Sequence, residues 1–388
     1  MRLQIMGFLL VLLFAPAMGF ADSRPDTVVK KIRATSLVVL QKAYQNERAF
    51  VRAAAARAAG ESQDLELIPL LNKATEDVYP TARLFALQGL QKVSRSDALK
   101  AARRMTDDTD IWVRSAAVEI LADEGGPEVV DEVRVFLKSY DVPMRMAASS
   151  GLVKHGEGKY LADVLDPLTH PIPDRRYQAI GYLGKIGTEE VLPHLAKLFG
   201  HAEPEMVFYS LKAVEGKTTA GMLPKLRELI KRDSASVRYA AALAMGNLKE
   251  AEPDLIPLCA DKDGMVKLSA ALALNRMGSD SCQIVFEELL KHTDFGVRST
   301  TARVLGETRI PGQVRLLKMA LGDNHSRVRT AAVRAVGMMG GPEAFPILVE
   351  LLQDSLEVVR AYAAGNLIHL LPLAASVTLD PVSNKTMP

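Results

Sequence analysis

Seven histidines, two cysteines and 46 carboxylates are the groups in this 388-residue chain best suited to metal, nucleophilic or acid–base chemistry. Their spacing argues against all three. His170, His201 and His292 share one register of a repeating unit described below, at a place where other copies carry Asp. Equivalent points on stacked helices lie roughly 8–10 Å apart, too far for two imidazoles to share an ion, so they read as solvated turn residues. Cys259 and Cys282 fall on neighbouring second helices, offset by about four positions or about 6 Å along the axis. That is a poor disulfide geometry, and the expectation is two small buried apolar residues. Two cysteines also exclude a disulfide framework and an all-Cys zinc site. Asp131, Glu132, Asp163 and Asp166 put carboxylates on second helices, where charge ordinarily serves solvation. No phosphate-binding Gly-rich loop, Gly-x-Ser-x-Gly or His-Glu-x-x-His motif occurs. The expectation is therefore no catalytic residue, no metal and no cofactor.

The elements that carry these side chains follow one mould. A basic residue recurs as Arg52, Arg83, Arg114, Arg145, Arg176, Arg238, Lys267, Arg298, Arg329 and Arg360, with Val207 in its place once. The step is 31 residues throughout, apart from one of 29 between Arg238 and Lys267. A fixed period of this size with helical chemistry inside it predicts a solenoid of stacked helix pairs. One residue before the anchor and seven after it, apolar side chains such as Val237 and Met245 form one helical face, the core seam. Three after it only small residues stand, among them Ala86, Ala179, Ser210, Ala241 and Ala332, so another helix must pass close by. Eleven after it come Gly125, Gly156, Gly187, Gly278 and Gly340, expected to end the helix in the left-handed conformation. A second helix with Pro in its first turn follows, as at Pro69, Pro193, Pro224 and Pro346. Six residues before the next anchor, Asp77, Asp108, Asp261, Asp323 and Asp354 are placed to cap the next motif helix.

Composition bounds the partner. Net charge is +2, or +1 without the N-terminal segment, and aromatics are only 5%. Neither supports nucleic-acid binding or attraction to an anionic membrane. Residues 1–21 join Met1-Arg2, an apolar run from Ile5 to Phe14 and small residues up to Ala21, a secretory signal peptide with cleavage near Ala21. The run is too short for a stable membrane anchor, so export to a periplasm or the medium is expected. Residues 22–45 read as an N-terminal capping helix, 46–373 as the repeat solenoid and 374–388 as a disordered tail.

The Val-Arg-x-x-Ala-Ala-x-x-Leu-Gly helix, Gly turn, Pro-bearing second helix and closing Asp resemble the HEAT-like repeats first associated with bilin lyases of light-harvesting antennae. The resemblance implies an all-α, right-handed α-α superhelix of the HEAT/armadillo kind with about eleven helix pairs. It also implies motif helices on the convex side, second helices lining the concave side, and Asp–Arg links between successive turns. For Arg83, Arg114, Arg329 and Arg360 those links would involve Asp77, Asp108, Asp323 and Asp354. Deoxyhypusine hydroxylase, built from similar repeats, holds two irons with His-Glu dipeptides. None occurs here, and His155-Gly156-Glu157 is the nearest approach. An enzyme of lyase or hydroxylase type is therefore the second reading. The first is a scaffold for a protein or peptide of unknown identity, bound in a groove of alternating charge. That groove was placed on the second helices, with Arg103, Arg104, Asp131, Glu132, Arg134, Asp163, His194, Lys197, Lys225 and Arg227. The aberrant repeat at Val207 was expected to expose Val207 and Phe208 as an apolar docking patch.

Overall fold

The computed structural model describes residues 25–310 and 313–375. The expected signal peptide and C-terminal tail lie outside them. Helix α1 spans Pro25–Tyr44. Motif and second helices then alternate as α2 (Ala49–Ser62) and α3 (Ile68–Ala74), α4 (Pro80–Val93) and α5 (Arg95–Met105), and α6 (Ile111–Glu124) and α7 (Val130–Val135). The series continues with α8 (Val142–Lys154) and α9 (Leu161–Leu165), α10 (Pro173–Ile186) and α11 (Leu192–Lys197), and α12 (Pro204–Ala213) and α13 (Leu223–Leu229). It ends with α14 (Ala235–Met245) and α15 (Glu252–Leu255), α16 (Gly264–Arg276) and α17 (Ile284–Leu290), α18 (Phe295–Thr308) and α19 (Val314–Leu321), α20 (Ser326–Met339) and α21 (Ala344–Glu350), and a last motif helix, α22 (Glu357–Ala375). There is no strand among the described residues, and no helix there is long and apolar enough to cross a membrane.

Two compact units share the chain, one formed by residues 1–98 with 298–388, the other by 99–297. In both, the core seam is the expected one: Val51, Leu90, Val237, Met245, Val328 and Val336 are all nearly or wholly inaccessible. The small position three residues after the anchor is inaccessible in every copy, Ser210 and Thr301 included. Direct packing of one motif helix on the next explains it: α2 on α4 and α20 on α22 in the first unit, and α6, α8, α10, α12, α14 and α16 in succession in the second. Glycine permits the closest approach. A Cβ on Gly60 would lie 2.3 Å from Gly89 Cα, and one on Gly306 2.7 Å from Ala335 Cα.

The motif helices are the inner layer of the bend, contrary to the implied convex placement. Lys185 of α10 reaches Glu119 of α6 at 2.7 Å, over the intervening α8, and Arg276 reaches Glu215 at 2.7 Å over α14. In the first unit Arg334 reaches Glu61 at 2.5 Å over α22. Side chains two repeats apart can meet only on the inside of a curved stack. Charges on second helices pair within their own helix, as Lys225 does with Glu228, or with the next repeat, as Arg103 does Glu132 at 3.0 Å and Arg227 does Asp254 at 2.9 Å.

Three local expectations are corrected. Gly125 has φ −71° and ψ 142°, extended backbone open to any residue, while Gly156, Gly187, Gly278 and Gly340 have the expected positive φ. The repeated Asp does not itself cap the helix. Asp108 and Asp261 accept the N–H two residues on, at 2.8 Å each, and the helices are capped by Asp110 and Asp263. The carboxylates of Asp77, Asp261 and Asp323 serve the preceding repeat's Arg: Arg52 grips Asp77 at 2.7 and 2.9 Å, Arg238 grips Asp261 at 2.9 Å twice, and Arg298 grips Asp323 at 2.7 and 3.1 Å. The Arg that follows takes the Asp's backbone rather than its carboxylate, as Arg114 does Asp108 O at 2.6 Å and Arg329 does Asp323 O at 2.6 Å, and Arg114 in turn reaches Asp141 of the next repeat at 2.8 Å.

Third, Cys259 and Cys282 form a disulfide, with Cα atoms 5.9 Å apart. The expected axial offset vanishes because neither residue sits on a regular second helix. The 29-residue step reduces α15 to four residues followed by a 3-10 segment, Ile256–Ala260, which carries Cys259. Cys282 lies in the turn before α17, in the left-handed conformation at φ 70°.

The first and last described helices meet inside the first unit. Helix α1 packs along α22 and against α2, and α22 packs on α2. Helix α22 has no second helix after it among the described residues, and α1 occupies that role. The seam is dense: Gly365 abuts Ala58, where a Cβ would come 2.5 Å from the Ala58 carbonyl oxygen. His369 Nδ1 lies 3.2 Å from Ser62 O, and Arg48 pairs with Glu357.

Candidate inner-face aromatic and cationic cleft

Positions facing the inside of the bend fall one to two, five and eight to nine residues after each anchor. In most repeats these positions carry Ala, Leu, Ser or an ion pair. In α10, α12 and α14 they carry aromatics: Tyr177, Phe208 and Tyr239 stand at one register in three successive repeats, with Tyr209 beside Phe208. The rings form a ladder. Tyr177 stacks on Tyr209 at 4.5 Å between centroids, Phe208 meets Tyr209 edge-on at 5.2 Å, and Phe208 stacks with Tyr239 at 6.5 Å. Such pairs are worth about 0.5–1.5 kcal/mol each beyond their burial, and Tyr209 remains 40% exposed.

Cations frame the ladder. Lys212 sits 6.0 Å above Tyr239 and Lys185 4.9 Å above Tyr182. Burial pushes the Tyr182 phenol far above its ordinary value, and it donates to Pro143 O at 3.3 Å. Glu215 joins Lys212 to Arg276; burial alone would raise its carboxyl, but the two cations hold it below the ordinary range. A cleft of about 350 Å³ opens among Gly181, Gly184, Lys185, Tyr209, Lys212, Ala213, Glu215 and Lys217. The first unit carries a related group: Glu61 links Arg57 to Arg334, Arg57 lies 4.9 Å over Phe85, and Arg334 lies 5.3 Å over Tyr362.

The residues expected to bind a partner are elsewhere. Arg103, Arg104, Arg134, His194, Lys197, Lys225 and Arg227 all sit on second helices, the outer layer. Arg134 pairs with Asp131 and Glu157, and Lys225 pairs with Glu228 at 2.5 Å. Val207 is buried at 2% exposure and Phe208 is half-buried, so the exposed ring of that repeat is Tyr209. With no Arg at the anchor, Val207 turns into the core and Phe208 joins the aromatic ladder. His170, His201 and His292 do what Asp does elsewhere, each accepting at Nδ1 the N–H two residues on, at 3.0, 3.1 and 3.0 Å. Among the described residues no three His, Cys, Asp or Glu side chains converge as a metal site. The readable signal for the cleft was the one-register run of Tyr177, Phe208 and Tyr239; it was missed because the motif helices were assigned to the outside.

HEAT-repeat models match residues 67–152, 223–287 and 283–368, more than half of the chain, and the PBS lyase HEAT-like repeat matches 175–201. The chain belongs to the HEAT-repeat family. No curated protein matches its sequence. Among solved structures it is similar to human deoxyhypusine hydroxylase, at 20% identity over 72% of this chain and 98% of that one, with a TM-score of 0.34. It is also similar to Kap121p, at 14% identity over 94% of this chain and 47% of that one, TM-score 0.38. A third is the CpcE–CpcF phycocyanin lyase complex of Nostoc sp. PCC7120, at 16% identity over 70% and 94%, TM-score 0.34.

Proposed function

We propose that this HEAT-repeat protein is an exported scaffold, a binding protein and not an enzyme, that holds a protein segment on the inner face of its motif helices. One observation carries the reading: three successive repeats replace small inner-face residues with an aromatic ladder, leave Tyr209 exposed and ring it with cations. A ring held in place by its stacked neighbour and still 40% exposed offers a partner side chain an ordered apolar face. Export is supported by the leader-like pattern of residues 1–21 and by the Cys259–Cys282 disulfide, a bond that persists in oxidising compartments.

The test is in-cell photocrosslinking. A photoreactive amino acid at Tyr209 is expected to give a discrete protein adduct in the cell envelope, and the same group at Lys197 on the outer layer is not. Identical adducts from both positions, or none from Tyr209, overturn the assignment. A fusion of residues 1–40 to a reporter active only outside the cytoplasm tests export separately.

A further inference from the structure

We propose that the cleft over Gly181 and Gly184 is a pocket for one aromatic side chain of an extended acidic peptide, a proposal that rests on the scaffold reading and names its ligand chemistry. The opening exists because Gly181 has no side chain to fill it. Five residues after the anchor, five of the other ten repeats carry Arg57, Glu119, Lys212, Arg303 and Arg334, long side chains that fill the inner face with ion pairs. At Gly181 nothing lies within 4 Å of where a Cβ would stand, so bare helix backbone forms the floor. The floor is closed at its far end because Gly184 touches the next helix, where a Cβ would come 2.8 Å from Ala213 Cβ.

The wall and rim select the occupant. Tyr209 offers a ring face already braced by Tyr177 at 4.5 Å, which suits a second flat ring over a branched aliphatic side chain. A cleft of about 350 Å³ is near the small end of ligand sites, the scale of one side chain with its flanking backbone. Three ammonium groups line it, Lys185, Lys212 and Lys217, against the single carboxylate of Glu215. Lys185 is held by Glu119 at 2.7 Å and Lys212 by Glu215, but the hydrogen bond of Lys217 goes to a neutral carbonyl, Gly184 O. Carboxylates on either side of the entering ring would meet Lys217 first and Lys185 second. This excess of positive charge favours an acidic peptide over a neutral oligosaccharide, which the exposed tyrosine alone would also suit.

Fluorescence anisotropy on the mature chain decides it, with a labelled, amidated pentapeptide of four Glu around a central Phe as probe. Probes with Ala at the centre, or with Lys in place of Glu, are expected to bind about tenfold more weakly or worse. Gly181→Leu fills open space, so it should fold as wild type by circular dichroism and melting yet lose about tenfold or more in affinity. Lys217→Glu should lose a similar factor, and Lys197→Glu on the outer layer nothing. Equal binding of the Lys probe, wild-type affinity in Gly181→Leu, or tighter binding of neutral oligosaccharides overturns the proposal. If the acidic probe fails while Tyr209 still crosslinks a partner, the pocket falls and the scaffold stands. If both fail, both fall.

Discussion

Gly60 and Gly181 lie on equivalent motif helices and answer opposite demands. A methyl group on Gly60 would meet the backbone of Gly89 at 2.3 Å, and backbone cannot step aside. Gly60→Ala should therefore cost about 1–3 kcal/mol, read as a lower denaturation midpoint. At Gly181 the same change meets nothing within 4 Å and removes a flexible residue from a helix. Gly181→Ala should be neutral or stabilising by up to about 1 kcal/mol. A large loss there would mean that the inner face is more crowded than described. The sequence made Gly60 legible, since small residues recur along the motif helix. It did not make Gly181 legible, because an absent side chain has meaning only once its neighbours are placed.

At the scale of elements, one assumption decided what could be read. Period, core seam, small positions and Pro-started second helices all follow from one-dimensional spacing, and all stand in the structure. Which helix faces inward depends on how tightly neighbours approach, a three-dimensional quantity, so the spacing alone could not place the second-helix charges on the inner or the outer layer. The disulfide was missed for a related reason: the offset assumed regular helices, and the shortened repeat replaces them with a 3-10 segment and a left-handed turn. The two cysteines are 23 residues apart, and loop-closure entropy for such a bridge is worth about 2–4 kcal/mol. Reduction, or Cys259→Ser, should lower the melting temperature. No shift under full reduction would show that the bridge adds nothing. Helix α1 has its own test. Removing residues 25–44 uncovers the side of α22 and should make 357–375 the first stretch cut in limited proteolysis, whereas removal of a mere cap would leave it resistant.

For the whole molecule, stability should depend on acid in one direction. Arg238 and Arg298 hold the Asp261 and Asp323 carboxyls below their ordinary range by direct hydrogen bonds. At Asp77 burial pulls upward, but Arg52 and the Tyr79 N–H outweigh it and the carboxyl again sits low. A carboxyl lowered on folding adds stability that is fully present above its unfolded pKa, near 4, and is lost as pH falls through the folded value. Denaturation midpoints should thus be flat from neutrality to about pH 5 and fall below about pH 4. Asp261→Asn should flatten part of that fall, and an unchanged acid limb would show that this link between repeats carries no proton-sensitive stability. The recurrence of Asp before the anchor was visible in the chain; that Asp77, Asp261 and Asp323 serve the repeat behind them was not, because both partners sit at fixed registers and either pairing fits the spacing.

The seam between α1 and α22 changes what kind of object this repeat protein is. An array with separate ends can gain or lose a unit by duplication and remain an array, since each unit answers only to its neighbours. Here α22 takes its partner from α1, in the other stretch of the same unit, and Arg48–Glu357 and Ala58–Gly365 hold the two stretches together. Losing α1 would uncover α22, so α22 answers to a neighbour far from it in sequence as well as to the one just before it.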